Sequence, residues 1–275
     1  MKQLSSLLKI SVSVLLLFLH LTTSGTDHYR FSAGAGEAGT GYACTTKTGF
    51  WSSFHNQALL ANNPSFSIGI NYQDRFGLKE LGTRSIGLKI PAGKSSIGVF
   101  YSHFGYSDFY RQMTGLASGI KLSDKIDAGV QVDYFSERTS GEYNNNQSVT
   151  CETSLLITAF DNIRIGINLF NPVPNSLRKT FLPTRLSIGA GTDLSKVLFA
   201  GIVAEMSSGS NLIIRTGFEY EAIKNLWIRG AFISENTSFC FGVGFLAKIA
   251  QIDLGFETHE RLGITSSISL IFKIH

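Results

Sequence analysis

The chain has 275 residues, enough for one large domain or two small ones, and its formal net charge is only +4. Charged residues make up 16% of the chain and aromatic residues 12%, whereas an ordinary soluble domain carries about 25% charged residues. The sequence has no block of Lys and Arg residues of the kind that nucleic-acid-binding proteins carry, so we exclude that class of protein.

Residues 1–25 have the pattern of a secretory signal peptide. Lys2 and Lys9 accompany a short polar region, residues 10–21 are almost wholly apolar, and small residues end at Gly25, where cleavage is expected. The alternative is an uncleaved membrane anchor, but an apolar stretch of about 12 residues is short for a spanning helix. The sequence therefore predicts an exported mature chain.

Residues 26–65 fit neither a clean helix nor a clean strand. This segment begins with the Gly- and Ala-rich run SAGAGEAGTGYA at residues 32–43 and continues with the aromatic-rich stretch GFWSSFHNQALLA at residues 49–61. Its interpretation depends on the structure that the rest of the chain builds.

From residue 66 onward, apolar and polar residues alternate with a period of two. Between Ile163 and Leu169, for example, every second residue is Ile or Leu, and the residues between them are Arg164, Gly166 and Asn168. Alternation of this kind gives a strand one apolar and one polar face. We count about fourteen such segments of roughly 9–12 residues, the length that a tilted strand needs to cross a bilayer.

Short and long connections alternate between these segments. Short ones occur, for example, at residues 92–95 and 161–162, whereas residues 105–114, 137–148 and 171–183 form longer linkers. This asymmetry is typical of outer-membrane barrels, which have short periplasmic turns and longer outer loops. The predicted fold class is all-β: a transmembrane antiparallel β-barrel of about fourteen strands at 66–275, with an N-terminal plug, or hatch, at 26–65. An even strand number places both termini on the periplasmic side.

The polar faces of the strands should point into the barrel lumen, because the apolar faces meet lipid. Both signs of charge occur there, so inward charges can pair. The charged residues predicted to face the lumen are Lys89, Lys121, Asp127, Asp133, Arg164, Arg215, Glu219, Arg229, Asp253 and Glu257.

No arrangement of residues predicts catalysis. The His residues are isolated in sequence, and no spacing of His, Cys and carboxylates matches a metal site. We expect a protein that is not an enzyme and that holds no metal and no cofactor.

At the two motifs of residues 26–65 the chain resembles the PorV/PorQ family of FadL-like outer-membrane barrels. In that pattern a Gly/Ala-rich start precedes an aromatic-rich stretch and an Asn-Pro-Ala-Gly-Leu-like element. Here Asn56, Ala58 and Leu59 match this element, but Gln57 stands where the family has Pro. The resemblance implies a fourteen-stranded barrel with an N-terminal hatch, in the outer membrane of a Bacteroidetes-type bacterium.

Two functions follow from the resemblance, and a structural barrel with neither role is a third possibility. The first is an accessory role in protein secretion or surface assembly of the type IX kind, with secretion-system proteins or secreted substrates as partners besides outer-membrane lipid. The alternative is a FadL-like channel for the uptake of small hydrophobic compounds. Its ligand would meet the hatch, whose ligand or hatch residues are predicted to be Phe50, Trp51, Phe54, Asn56, Leu59 and Leu60.

Overall fold

The computed structural model of the chain describes residues 31–62, 65–140, 146–173, 176–177 and 180–274. The predicted signal peptide at 1–25 lies outside these residues, as do parts of the predicted linkers at 137–148 and 171–183. The division of the chain at residue 65 stays a prediction, and the first strand of the structure begins at Phe66.

Fourteen of the described strands form one closed antiparallel barrel, which confirms the predicted fold class. Each wall strand pairs with its neighbours along the chain, and β1 pairs with β16 so that Phe66 lies opposite Ile274. The strands are β1 (Phe66–Asp74), β2 (Thr83–Ala92), β3 (Ser95–Gly105), β4 (Phe109–Lys121), β5 (Ile126–Thr139), β6 (Asn146–Phe160), β7 (Ile163–Phe170), β8 (Ser176–Leu177), β9 (Thr180–Phe181), β10 (Arg185–Ser195), β11 (Leu198–Ser207), β12 (Ile213–Ile223), β13 (Leu226–Ile233), β14 (Ser238–Ala247), β15 (Ala250–His259) and β16 (Gly263–Ile274).

Two of the longer linkers differ from the prediction. Strand β4 already begins at Phe109, where it pairs with Thr139 of β5, so the connection expected at 105–114 shrinks to residues 106–108. The linker at 171–183 contains β8 and β9, which pair with each other outside the barrel wall. Strands of 13, 14 and 15 residues at β4, β5 and β6 are longer than a bilayer crossing needs.

The barrel has two different ends. At one, which we call the turn end, β1 begins, β16 finishes, and the connections are short, as at residues 93–94, 224–225 and 248–249. Gly93, Asn225 and Lys248 adopt positive φ angles of 65°, 67° and 53°, as tight hairpin turns require. At the other, the loop end, the longer connections join the strands.

The outer face of the barrel is apolar and the inner face is polar. Leu116, Val130 and Phe241 on the outside are 58%, 56% and 57% exposed, whereas Lys89 and Asp133 on the inside are fully buried. An apolar surface of this extent is stable only where lipid covers it, and a closed barrel leaves no backbone group unpaired there. None of the helices in the described part of the chain has the length and apolarity to cross a bilayer.

Residues 31–62, which we call the inner segment, lie inside the barrel. They contain a short α-helix, α1 (Ala35–Gly39), and two 3-10 helices at Phe50–Phe54 and Gln57–Asn62. Most of the described side chains of this segment are buried. The core of the barrel is therefore formed by the inner segment together with the inward-facing side chains of the wall.

Candidate functional site in the barrel interior

Inward-facing glycines of the wall provide the surface on which the inner segment lies. Several of them face each other on neighbouring strands, as Gly119 does with Gly129 and Gly201 with Gly217. A Cβ added at Gly119 would lie 2.5 Å from the Gln57 carbonyl oxygen, and one at Gly242 would lie 2.8 Å from the Gly39 Cα. The glycines in closest approach to the inner segment form a belt, which comprises Gly69, Gly119, Gly129, Gly166, Gly189, Gly191, Gly201, Gly217, Gly242 and Gly255.

Short polar side chains bind the backbone of the inner segment to the wall. The Ala35 N–H donates to Ser269 Oγ at 2.7 Å, on one side of the barrel. The Ala58 N–H donates to Ser154 Oγ at 2.9 Å on the other. Both ends of the inner segment are thus held by hydroxyl groups that stand next to the glycine belt.

Two amide side chains of the inner segment complete this attachment. Gln57 Nε2 donates to Glu152 Oε2 at 2.7 Å and its Oε1 accepts from Asn168 Nδ2 at 2.9 Å, so the amide bridges β6 and β7. Asn56 Nδ2 donates to the carbonyls of Thr45 and Leu155. Both amides are fully buried. Gln57, which departs from the family pattern, thus makes contacts that a Pro side chain lacks.

A network of ion pairs joins the inner segment to β12, β13 and β15. Arg229 donates to Glu219 through Nε and to Asp253 through Nη1, both at 2.6 Å. Lys47 of the inner segment pairs with the same Glu219. All three wall residues were predicted to face the lumen, and a buried guanidinium needs carboxylates placed in this way.

Beside this network lies a cavity of about 290 Å³, which we call the network cavity. Glu37, Lys47, Phe50 and Lys273 lie on its wall. Burial, together with the negative charge of the neighbouring Asp253, raises the pKa of Glu37 from 4.5 to about 7. Glu37 therefore carries a proton over part of the range in which an ordinary Glu is ionised.

The other predicted lumen charges lie at different heights of the barrel. Lys89, Asp133 and Arg215 are buried in the interior, and Arg215 pairs with Glu205 at 3.3 Å. Glu257 is half-buried on β15. Lys121, Asp127 and Arg164 lie at the turn end, around a cavity of about 540 Å³ that also includes Lys94, Asp124 and Asp193.

The apolar side chains of the inner segment form the centre of the barrel. Trp51, Leu59 and Leu60 are fully buried, and Leu59 packs with Leu156 of β6. The Phe54 ring lies 5.5 Å from Trp51 and 5.0 Å from Phe100. Of the six predicted ligand or hatch residues, Phe50 reaches the network cavity, and Asn56 binds backbone carbonyls rather than facing an open space.

These rings belong to a continuous apolar column through the interior. Phe54 packs against two clusters, one with Phe50 and Trp51 and another with Phe135 and Phe170. Phe31 joins the second cluster, with its ring centroid 6.1 Å from that of Phe135. The column thus runs from Phe31 to Phe50, and we define it as Phe31, Phe135, Phe170, Phe54, Trp51 and Phe50.

Phe31 also lines a cavity of about 240 Å³ at the loop end, which we call the loop-end cavity. Phe104 and Phe109 stand at inward positions of β3 and β4, with their ring centroids 6.5 Å apart. The guanidinium groups of Arg75 and Arg111 lie over these two rings, at 5.5 and 5.1 Å. Leu81, Thr83, Glu80 and Tyr106 complete the wall.

The loop-end cavity was not predicted from the sequence. Its residues come from the inner segment, from β2, β3 and β4 and from two connections, so they are far apart in the sequence. A usable signal existed at Phe104, Phe109 and Arg111, which occupy polar-face positions of their strands although two of them are aromatic.

The interior offers apolar rings and buried charges for non-covalent contacts. Among the described residues, no group of three or more His, Cys, Asp and Glu side chains is placed to hold a metal ion. Aromatic rings at the loop end suit an apolar or aromatic molecule, and the two arginines fix the rings in place.

Taken together, the geometry defines a class: a fourteen-stranded membrane barrel whose lumen is filled by its own N-terminal residues. No family model matches the chain, and no curated protein is similar to it in sequence. Solved structures resemble it in fold. With the Ralstonia pickettii toluene transporter TbuX it shares 12% identity and a TM-score of 0.70, over 91% of this chain and 100% of that chain.

Two further structures show the same likeness. The CymD monoaromatic hydrocarbon channel is 11% identical, with a TM-score of 0.71 over 90% of this chain and 99% of its own. A Pseudomonas aeruginosa FadL homologue is 10% identical, with a TM-score of 0.67 over 88% and 98% of the two chains. The fold is therefore that of the FadL-like barrels, and none of these structures singles out the PorV/PorQ branch.

Proposed function

We propose that the chain is an outer-membrane channel for the uptake of small hydrophobic compounds. The observation that carries the proposal is the apolar column, which connects the loop-end cavity with the network cavity through the middle of the barrel. Wide barrels that pass ions and sugars have polar interiors. An interior filled with Phe and Trp side chains instead offers a hydrophobic molecule favourable contacts along its path.

The likeness in fold supports the same proposal. The similar structures are described as transporters or channels for toluene and monoaromatic hydrocarbons. A cavity of about 240 Å³ with three Phe rings in its wall is of a suitable size for one such molecule. We infer that the loop-end cavity takes up the compound first and that the inner segment must shift to release it.

The test is uptake of radiolabelled toluene, at a concentration below saturation, by cells that carry this chain as their only hydrocarbon channel. Phe104→Ala together with Phe109→Ala removes two rings from the loop-end cavity. Because each ring contributes about 1.5–3 kcal/mol on burial, we expect the uptake rate to fall about tenfold or more.

The matched control is Phe239→Ala, which removes a ring from the lipid-facing side of β14, where Phe239 is 50% exposed. It should leave uptake unchanged at equal amounts of folded barrel in the membrane. Uptake that is equal in the parent, the cavity variant and cells without the chain would overturn the proposal.

The alternative, a secretion accessory of the PorV/PorQ kind, predicts a different result. Cells without the chain would lose a set of surface or secreted proteins that share a C-terminal sorting domain, and toluene uptake would not change. Comparison of the surface and secreted proteins of the two strains therefore separates the two functions.

A further inference from the structure

The charges on the lipid-facing side of the barrel are confined to one sector. On β6, β7 and β10 to β16 the outward, exposed positions of the described residues carry no Asp, Glu, Lys or Arg, and most are Ile, Leu, Val or Phe. Arg84 of β2 and Arg138 of β5 are outward-facing and exposed, and both stand at the loop end of their strands. Charged side chains are costly on a lipid-facing surface, so charges at these positions indicate a specific role.

These two arginines belong to a continuous row across four strands. Arg84 lies opposite His103, His103 opposite Gln112, and Gln112 opposite Ser136. Tyr110, two residues before Gln112, lies opposite Arg138. We call Arg84, His103, Tyr110, Gln112, Ser136 and Arg138 the basic row.

The row is ordered by its own contacts. The His103 and Tyr110 rings stack with centroids 5.4 Å apart, and Gln112 Nε2 lies 3.3 Å from His103 Nδ1. Within the described part of the chain, neither Arg84 nor Arg138 forms an ion pair. The guanidinium groups at the two ends of the row are therefore available to an anion.

The height of the row matches the border between lipid chains and headgroups. Directly below it, toward the turn end, the outward residues are Ile86, Tyr101 and Tyr134, which are 45%, 37% and 42% exposed. Tyrosines at such positions mark the interface of a membrane barrel. Arginine side chains just above them reach the phosphate groups of a lipid rather than its acyl chains.

The width of the row indicates how many phosphates it fits. Arg84 stands three strands from Ser136, which is about 14 Å at a strand spacing of roughly 4.8 Å, and Arg138 lies two residues further along β5, so the two arginines are about 16 Å apart. One phosphate is too small to bridge them, and the hydroxyl, amide and imidazole groups between them suit the hydroxyl and carbonyl groups of a sugar headgroup. Arginine binds phosphate oxygens in a two-pronged manner that lysine does not match.

We propose that the basic row binds one molecule of a lipid whose disaccharide headgroup carries two phosphates, a lipid of the lipid A type. Arg84 holds one phosphate, Arg138 holds the other, and His103, Gln112 and Ser136 contact the sugar between them. The inference rests on the proposed outer-membrane location and not on the hydrocarbon cargo. The site lies on β2 to β5, outside the wall section behind Phe104 and Phe109, so bound lipid would brace the sheet around the loop-end cavity.

The test uses the purified full chain in detergent, with native mass spectrometry as the readout. The probes are diphosphoryl lipid A, the monophosphoryl form with the same acyl chains, and phosphatidylglycerol. We expect the chain to retain one diphosphoryl lipid A. Its affinity for each of the other two lipids should be lower by about tenfold or more, because each lost phosphate contact is a charge-assisted hydrogen bond.

Arg84→Gln together with Arg138→Gln should lower retention of diphosphoryl lipid A by the same factor. The control, Lys224→Gln with Arg261→Gln, removes two exposed charges elsewhere and should retain the lipid as the parent does. Circular dichroism and heat-modified gel mobility establish that both variants are folded.

Equal retention by the basic-row variant and the control would overturn the proposal. Equal retention of phosphatidylglycerol and diphosphoryl lipid A would overturn it too, because a single-phosphate lipid would then be the ligand. The measurement involves no uptake, so it stands apart from the test of the proposed function.

Discussion

At the level of single residues, the glycines of the wall are the most important feature of this barrel, because they leave room for the inner segment to pack. Gly119 and Gly129 lie opposite each other, and Gln57, Ala58 and Leu60 pack directly onto them. Glycine normally weakens a strand, because it offers no side chain to pack. Here the inner segment supplies the packing instead, so the wall glycines are part of the core.

We expect Gly119→Ala to destabilise the barrel by about 1–3 kcal/mol, the usual cost of forcing an extra methyl group into a packed core. The new Cβ would meet the Gln57 carbonyl oxygen at 2.5 Å and the Ala61 nitrogen at 3.0 Å, which are backbone atoms that cannot turn away. Urea-induced unfolding in lipid vesicles measures the change.

The matched control is Gly230→Ala, on the lipid-facing side of β13. Its Cβ would meet only the Phe218 ring, at 2.7 Å, and that ring is 46% exposed to lipid and can rotate away. We expect its unfolding free energy to stay within about 0.5 kcal/mol of the parent. If both variants unfold at the same urea concentration, the inner segment does not pack closely against the glycine belt.

At the scale of elements, the inner segment depends on the wall for its structure. Its α-helix has only five residues and no side chain caps it, and the other two helices are short 3-10 turns. Helices of this length are not stable by themselves in water. Contacts with the glycine belt, with the hydroxyl groups of Ser154 and Ser269 and through the ion-pair network therefore hold it. Glu37, which lies beside this network, makes the attachment respond to pH.

The pKa of Glu37 predicts the direction of that response. It rises from 4.5 to about 7 in the folded chain, so the folded state binds a proton more tightly than the unfolded state does. This contribution to stability is complete below about pH 4.5 and is lost as the pH rises through about 7. The inner segment should therefore be held less firmly at about pH 8 than at about pH 5.

Hydrogen exchange of the amides in residues 35–47, corrected for the intrinsic pH dependence of exchange, measures this difference. The control is Glu37→Gln, which has no titrating group at this position and should give equal protection at the two pH values. An unchanged pH dependence in this variant would show that another group is responsible.

At the scale of the whole molecule, the strands could be predicted from the sequence and the interior could not. Alternation fixes which face of each strand meets lipid, and residues such as Asp133 and Arg229 lie inside for that reason. The start of β4 at Phe109 was missed, because the outward positions at this end of the strand carry Tyr110 and Gln112 rather than aliphatic residues, so the sequence shows no alternation of apolar and polar residues there.

The path of the inner segment has a different origin. It depends on contacts such as those of Gln57 with Glu152 and Asn168, which are 95 and 111 residues away in the chain. No local pattern encodes such a contact. The belt glycines can be located in the sequence at polar-face positions of their strands, but which residue approaches each of them follows only from the folded chain.

The orientation of the barrel in the membrane can be measured by labelling single cysteines. A single Cys placed at Ser107 or Ser208, in loop-end connections, should react with a membrane-impermeant maleimide added to intact cells. A Cys at Lys224 or Lys248, in turn-end connections, should react only after the outer membrane is opened, because short turns face the periplasm in barrels of this kind. Both sets of positions are exposed, so the difference reports the side of the membrane and not burial.

The chain without an added Cys is the control, since Cys44 and Cys240 are buried and Cys151 is half-buried on the lipid-facing side of β6. Labelling of Lys224→Cys in intact cells, with none at Ser107→Cys, would mean that the loop end faces the periplasm. The loop-end cavity would then be an exit rather than an entrance, and the basic row would lie in the inner leaflet. The orientation thus decides the direction of uptake and the lipid that the outer wall meets.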